Sequence, residues 1–215
     1  DAVLEEFINL YKQGYIYKGT RMVNWCPNCH TAISDAEVEY KEEASHLWHL
    51  RYKIKGENRY VEVATTRPET MLGDTAVAVN PEDKRYTDIV GKTCIVPIVN
   101  REIPIIADEF VETEFGTGCV KITPAHDPND YQAGLKHKLE FIEVFDDKTI
   151  MGDLMQEVKG MKAIEARKII VKKLEELGAL VSIEDYTHNV GKCERCKTTI
   201  EPRISEQWFV KMEPL

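Results

Sequence analysis

Trp25-Cys26-Pro27-Asn28-Cys29 and Lys192-Cys193-Glu194-Arg195-Cys196-Lys197 are the stretches on which the fold turns. Each sets two cysteines three positions apart in a short polar turn, where a tight knuckle aims both sulfurs at one point. Four thiolates, from Cys26, Cys29, Cys193 and Cys196, satisfy a tetrahedral Zn²⁺ with no open position, the structural rather than the catalytic kind of zinc site. Joining the pairs staples the two ends of the chain together. Everything from Thr31 to Gly191 then reads as one large insertion on a zinc-pinned stem. A redox motif and disulfides are the competing readings. Neither pair opens a helix after a strand, as a thioredoxin-like site would. Disulfides fit poorly with a sequence that has no secretory signal. Metal-free pairs stay open at this point. Cys94 and Cys119 stand singly in apolar strand patterns and read as small buried hydrophobes.

The chain has 215 residues, enough for one large domain or a domain with an appendage. Hydrophobic residues at 43% and charged residues at 30% describe an ordinary globular composition. No apolar run approaches the length of a membrane span, and a cytoplasmic location is expected. The sequence starts at Asp1-Ala2-Val3-Leu4 and stops at Glu213-Pro214-Leu215, so a piece of a longer protein is expected. A net charge of −9 argues against a domain that grips nucleic acid tightly by itself. It leaves room for contact with a nucleic-acid terminus that other domains hold.

Val3, Leu4, Phe7, Ile8 and Tyr11 recur at helical spacing, with Gly14 as the stop. From Leu47 onward the pattern turns to strands: Tyr60–Ala64, Thr75–Val79, Thr93–Val99, Ile103–Ile106 and Cys119–Thr123. Asn80-Pro81 and Asn100-Arg101 punctuate them. Short strands with turn signals predict a barrel-like β core. Ala163, Ala166, Ile170, Leu174 and Leu177 form the apolar stripe of a later helix that ends at Gly178. Its charged face, with Lys168, Lys172, Lys173 and Glu176, reads as solvated. The fold class expected is α+β, a β-barrel-like domain with peripheral helices and a Cys₄ zinc-knuckle stem. The expected division is 1–45 for the stem helix and first knuckle, 46–186 for the inserted domain, and 187–215 for the second knuckle and the return.

Two segments are polar where a strand should end in a plain turn. Ala64-Thr65-Thr66-Arg67-Pro68-Glu69-Thr70 sets three hydroxyls, an arginine and a carboxylate directly after a strand. Its bland reading is a proline turn whose threonines bond the local backbone. The second runs from Phe115-Gly116-Thr117-Gly118 through Lys121-Ile122-Thr123-Pro124-Ala125-His126-Asp127-Pro128 to Asp130-Tyr131. Strand alternation puts Lys121 and Thr123 on one face. Asp127 before Pro128 reads as a helix N-cap, with Asp130 on the same side. One carboxylate capping the helix and another favouring its positive end is the bland reading. A lysine with two carboxylates at a helix mouth also suits a ligand bearing an ammonium and a hydroxyl. His126 is a tempting general base, though a His beside a proline turn is more often structural. The Gly-Thr-Gly triplet is too short for a dinucleotide fingerprint.

Taken together, these segments resemble the editing (connective polypeptide) domain inserted in the class I aminoacyl-tRNA synthetases for valine, isoleucine and leucine. The stretches that carry the resemblance are Val23–Cys29, Thr65–Asp74, Gly116–Gly118 through Tyr131, and Glu201–Val210, spread in family order over nearly the whole chain. Arg67-Pro68-Glu69-Thr70 and Lys121–Pro128 look valine-type. The His-Ile-Gly-His and Lys-Met-Ser-Lys-Ser signatures of the ATP-using synthetic site are absent, so amino-acid activation is not expected here.

The resemblance implies hydrolysis of threonine mischarged on tRNA-Val. Asp130 is expected to bind the substrate α-ammonium. Lys121, Thr123 and Asp127 are expected to sense the threonine hydroxyl and hold water. Thr65, Thr66 and Arg67 are expected on the ribose, ester or phosphate of the terminal nucleotide, and Phe115 is expected to pack against the adenosine or shape the pocket. The zinc is structural. The partners implied are the aminoacylated 3′ end of tRNA-Val and the rest of a synthetase chain, with no membrane and a monomeric state. An isoleucine-type site acting on valyl-tRNA-Ile, or a non-catalytic zinc-stapled tRNA-binding module, are the alternatives.

Overall fold

The computed structural model describes residues 2–114 and 116–213. The first helical stripe forms α1 (Ala2–Lys12), and the chain leaves it at Gly14 with φ +77°. None of its residues is buried. It is held by its aromatics: Phe7 and Tyr11 meet Trp208 edge to face, with ring centroids 5.5 and 5.9 Å apart.

Next comes β1 (Ile16–Cys26), which ends on the first knuckle, then β2 (Thr31–Ile33). The last strand of the chain, β10 (Glu201–Val210), runs antiparallel to β1 from Ile16↔Val210 to Trp25↔Glu201. This three-stranded sheet, in the order β10-β1-β2, is the stem. The sequence reading did not identify these strands, because their residues are half-exposed on both faces and lack a clean alternation.

The second sheet is built on β3 (Val38–Ile54), a 17-residue strand that begins in the stem region and ends in the core. Its partner β9 (Leu180–Cys193) follows it antiparallel from Leu50↔Leu180 to Val38↔Cys193. That ribbon carries the chain to the second knuckle. Between its strands lie β4 (Tyr60–Thr65), β5 (Ala76–Val79), β6 (Thr93–Ile95), β7 (Glu102–Ala107) and β8 (Cys119–Ile122), in the sheet order β4-β3-β6-β7-β5-β8. The strand expected over Thr93–Val99 stops at Ile95. Pro97 has no N–H to donate, and Ile98 and Asn100 take positive φ to make the turn in which Val96 N donates to Arg101 O at 2.8 Å.

The expected barrel is not closed. Among the described residues no backbone ladder joins the end strands β4 and β8. They are linked instead by a side chain, the Thr117 hydroxyl donating to Glu62 O at 2.7 Å. Ala64 and Thr65 of β4 and Val120 and Lys121 of β8 line a cavity at the opening between them.

Helix α2 (Pro128–His137) follows β8, and α3 (Ala163–Glu176) covers the core with Ala163, Ala166, Ile170 and Leu174 buried. Gly178, at φ +64°, ends the turn after α3. The main core runs from Trp48, Leu50, Tyr52 and Ile54 through Met71, Leu72, Ile103 and Ile105 to Ile170 and Leu174. Cys94 and Cys119 are buried singletons within it, as expected. Among the described residues no helix is long and apolar enough to cross a membrane.

Candidate functional site

The two polar segments converge. Thr65, Thr66, Arg67, Lys121, Thr123, Asp127 and Asp130 all line one open cavity of about 490 Å³, together with Thr70 and His126. Phe115 lies outside the described residues.

Helix α2 starts as its sequence dictates. Asp127, in extended backbone, accepts from Asn129 N at 2.8 Å and Asp130 N at 3.1 Å through Oδ1, and Pro128 occupies the first turn. The capping reading is therefore correct as far as it goes, but it uses one oxygen. Asp130 is 6% exposed, and its Oδ2 accepts from Thr123 N at 2.8 Å. Asp127 Oδ2 and Asp130 Oδ1 take no hydrogen bond among the described residues. Burial, helped by the neighbouring Asp127 charge, pushes the Asp130 carboxyl up to about 7. A cation entering the cavity would offset the Asp127 repulsion and favour the ionised carboxylate.

Lys121 and Thr123 project inward from β8 as alternation requires, at 7% and 1% exposure. The lysine ammonium spends its three donors inside the protein, on Thr70 Oγ1 at 2.9 Å, Thr123 Oγ1 at 2.5 Å and Asp74 Oδ1 at 3.2 Å. The Thr123 hydroxyl donates in turn to Asp74 Oδ1 at 2.6 Å, and Tyr52 Oη donates to Asp74 Oδ2 at 2.6 Å. Asp74 is the residue that the sequence reading passed over. It is fully buried, and desolvation raises its carboxyl against the pull of Lys121. One signal was available: a carboxylate set between the apolar Met71-Leu72-Gly73 and the strand Ala76–Val79 must find partners, because an unpaired buried charge is too costly. After donating and accepting one bond each, the Thr123 oxygen keeps one lone pair for a ligand.

His126 is structural. Its Nε2 accepts from Val144 N at 2.8 Å, and its ring lies 4.2 Å from that of Phe145. Burial, with Arg67 and Lys121 nearby, holds the imidazole down at about 3, so it stays neutral and its basic nitrogen is occupied. It cannot act as the general base.

Thr65 caps its own turn, accepting from Arg67 N at 3.0 Å, and Thr70 donates to Arg67 O at 3.0 Å. The local-turn reading of this segment thus describes the backbone, while the Arg67 side chain reaches away from it. Its Nη1 donates to His126 O at 3.2 Å, and its Nη2 is paired with Glu201. Tyr186 and His188, on β9, complete the wall and had no signal in the sequence.

At the far end of the ribbon, the Sγ atoms of Cys26, Cys29, Cys193 and Cys196 lie within 4.8 Å of one another. Cys29 N donates to Cys26 Sγ at 3.3 Å, as a knuckle built for a thiolate requires. Cys26 and Cys193 are buried with Ile33 and Ile200. Four soft donors from two knuckles fit a tetrahedral metal ion.

The family model for class I tRNA synthetases (I, L, M and V) matches residues 1–215. Among curated relatives, the valine–tRNA ligase of Dehalococcoides mccartyi (strain ATCC BAA-2266 / KCTC 15142 / 195) is 57% identical over 214 residues, covering 100% of this chain and 24% of that protein. That of Geobacter sulfurreducens is 56% identical over 215 residues, again 24% of its length, and that of Thermotoga maritima 57% over 214, or 25%. The chain spans about a quarter of the length of these relatives.

Proposed function

Because the chain belongs to the class I tRNA synthetases of the isoleucine, leucine, methionine and valine group, we propose that its cavity is an editing site that hydrolyses threonine from mischarged tRNA-Val. The observation that carries this reading is the pair of unpartnered carboxylate oxygens, Asp127 Oδ2 and Asp130 Oδ1, beside a hydroxyl that Lys121 and Asp74 hold in place. An α-ammonium fits the carboxylates, and a side-chain hydroxyl fits the lone pair left on Thr123.

Threonine is nearly isosteric with valine, and an apolar activation pocket cannot strongly reject an isostere that only adds a hydroxyl. A second pocket lined by polar groups discriminates in the opposite sense. Valine brings no hydroxyl to the lone pair left on Thr123, at a cost of about 1–3 kcal/mol.

In this mechanism Asp130 anchors the ammonium through a charge-assisted contact. Arg67 and Thr66 face the ribose and phosphate of the terminal nucleotide. The ester is already activated, so a water oriented by Asp127 suffices without a strong protein base. The neutral His126 takes no proton and serves to hold Val144. Cys26, Cys29, Cys193 and Cys196 would hold a structural Zn²⁺, which closes the stem and takes no part in hydrolysis. The partners in this reading are the aminoacylated 3′ end of tRNA-Val and the remainder of a ligase chain.

The test is deacylation of threonyl-tRNA-Val against valyl-tRNA-Val. The threonyl ester is expected to disappear much faster, and Lys121→Ala to narrow the gap by slowing the threonyl reaction. Equal rates for the two esters would sink the reading.

A further inference from the structure

Arg67 stands in the wall shared by two cavities, the candidate site and a second of about 670 Å³ between α3, the β3–β9 ribbon and the second knuckle. Its guanidinium is held by groups both near and far along the chain. Glu69 Oε1 lies 3.8 Å from its Nε, and Glu69 is itself gripped by Arg167 of α3 through Nε at 2.8 Å and Nη2 at 2.9 Å. On the other side Arg67 Nη2 pairs with Glu201 Oε2, 134 positions away. The four side chains Arg167, Glu69, Arg67 and Glu201 alternate in sign from α3 to β10. Their side-chain exposures are 20%, 3%, 28% and 18%, low enough that solvent screens them weakly.

Glu201 belongs to the stem. It pairs with Trp25 in the β1–β10 register. The preceding residue, Ile200, is buried among the knuckle cysteines and donates its N–H to Gly191 O at 2.9 Å. The carboxylate that reaches Arg67 is therefore fixed to the stem beside the cysteine cluster.

We propose that Glu201 is a positioning residue for the candidate site, holding the Arg67 guanidinium from the stem in the orientation that receives the 3′-terminal nucleotide. The proposal rests on reading the cavity as an aminoacyl-ester hydrolase site. An arginine side chain has considerable rotamer entropy to lose when a ligand orders it. A partner that orders it beforehand removes that cost from substrate binding. Arg67 contacts the non-reacting part of the substrate, so the effect falls on ground state and transition state alike and appears in KM.

The experiment uses Glu201→Gln, which keeps shape and volume, and Glu201→Asp, which keeps charge at shorter reach. Two readouts are taken on each: the Arg67 Nε–Hε signal by NMR, assigned with Arg67→Lys, and the kinetics of threonyl-tRNA-Val deacylation. In Glu201→Gln, Arg67 Nε–Hε exchange is expected to accelerate roughly tenfold and KM to rise roughly tenfold, with kcat within about twofold. Glu201→Asp is expected to restore part of both. An unchanged Arg67 signal overturns the proposal, and so does a loosened Arg67 with an unchanged KM. A purely structural staple between stem and core predicts that second outcome, with a lowered Tm. If the unmutated protein hydrolyses no ester, the hydrolase reading fails, and the NMR signal alone decides whether Glu201 holds Arg67. Should Glu201→Gln not fold, Glu201→Asp carries the same two readouts.

Discussion

The stem and the sheet that bears the cavity are both β structures, yet they are held by opposite means. The stem buries Cys26, Ile33, Cys193 and Ile200 as its own cluster, and its ion pairs, such as Lys18–Glu206 and Lys197–Glu39, face solvent. The cavity-bearing sheet packs a continuous core from Trp48 to Leu174 and keeps a charged pair, Lys121–Asp74, at 9% and 0% exposure. A region with so few buried apolar side chains needs a cross-link, and four converging sulfurs offer one. A region with a large apolar core can tolerate buried charge, provided every member is paired. The candidate site exists only in the second region.

The largest expected effect breaks this contrast at the stem. Under the zinc reading, Cys193→Ser or chelation should accelerate amide exchange in β1 and β10 by roughly 10³-fold, because metal binding and folding are coupled there. Amides of β5 and β8 should stay protected. Hydrogen-exchange mass spectrometry reads both in one sample, and equal loss in the two regions would erase the distinction.

Lys121→Met tests the core side. It strands the Asp74 carboxylate without its cation, and a loss of about 3–5 kcal/mol is expected in urea denaturation. Adding Asp74→Asn should recover most of it. If Lys121→Met alone were neutral, the buried pair would contribute nothing to the fold.

Asp130 gives a smaller, pH-dependent effect. Its carboxyl titrates near 7 in the folded protein, above its ordinary value of 3.8. Between those values the folded state binds more protons than the unfolded one, so stability falls as pH rises from about 4 to about 7 and is level beyond. Ionisation is nonetheless what ammonium binding needs. Ester kcat/KM is therefore expected to climb through pH 7, once the spontaneous hydrolysis is subtracted. Asp130→Asn should flatten the stability profile and lower deacylation about 10-fold or more, the value of a lost charge-assisted contact. A folded Asp130→Asn protein with full activity would remove the anchor assignment.

The smallest effect returns to the stem. Lys18→Ala deletes an ion pair whose side chains are 50% and 58% exposed, and Tm should shift by no more than about 0.5 kcal/mol allows. The same kind of pair is thus expected to matter in one region and not in the other.

The sequence by itself determined the local events. The stripe of α1, the Asp127 cap and Pro128 of α2, the stop at Gly178 and the inward face of Lys121 and Thr123 each depend on residues a few positions apart. The knuckles were legible for the same reason, since metal-ligand spacing is a local pattern. Only the tertiary structure decided what depends on distant pairing. The stem strands β1 and β10 are set by each other across the length of the chain, and neither has the alternation to announce itself. The sheet stays open between β4 and β8, where a cavity lies in place of a barrel seam. Asp74 became a partner of Lys121, and Glu201 a partner of Arg67, because burial brings opposite charges together whatever their separation in sequence. Spacing along the chain reports hydrogen bonds within a turn of helix or strand, whereas the pairing of buried charge is fixed only when the core has formed around it.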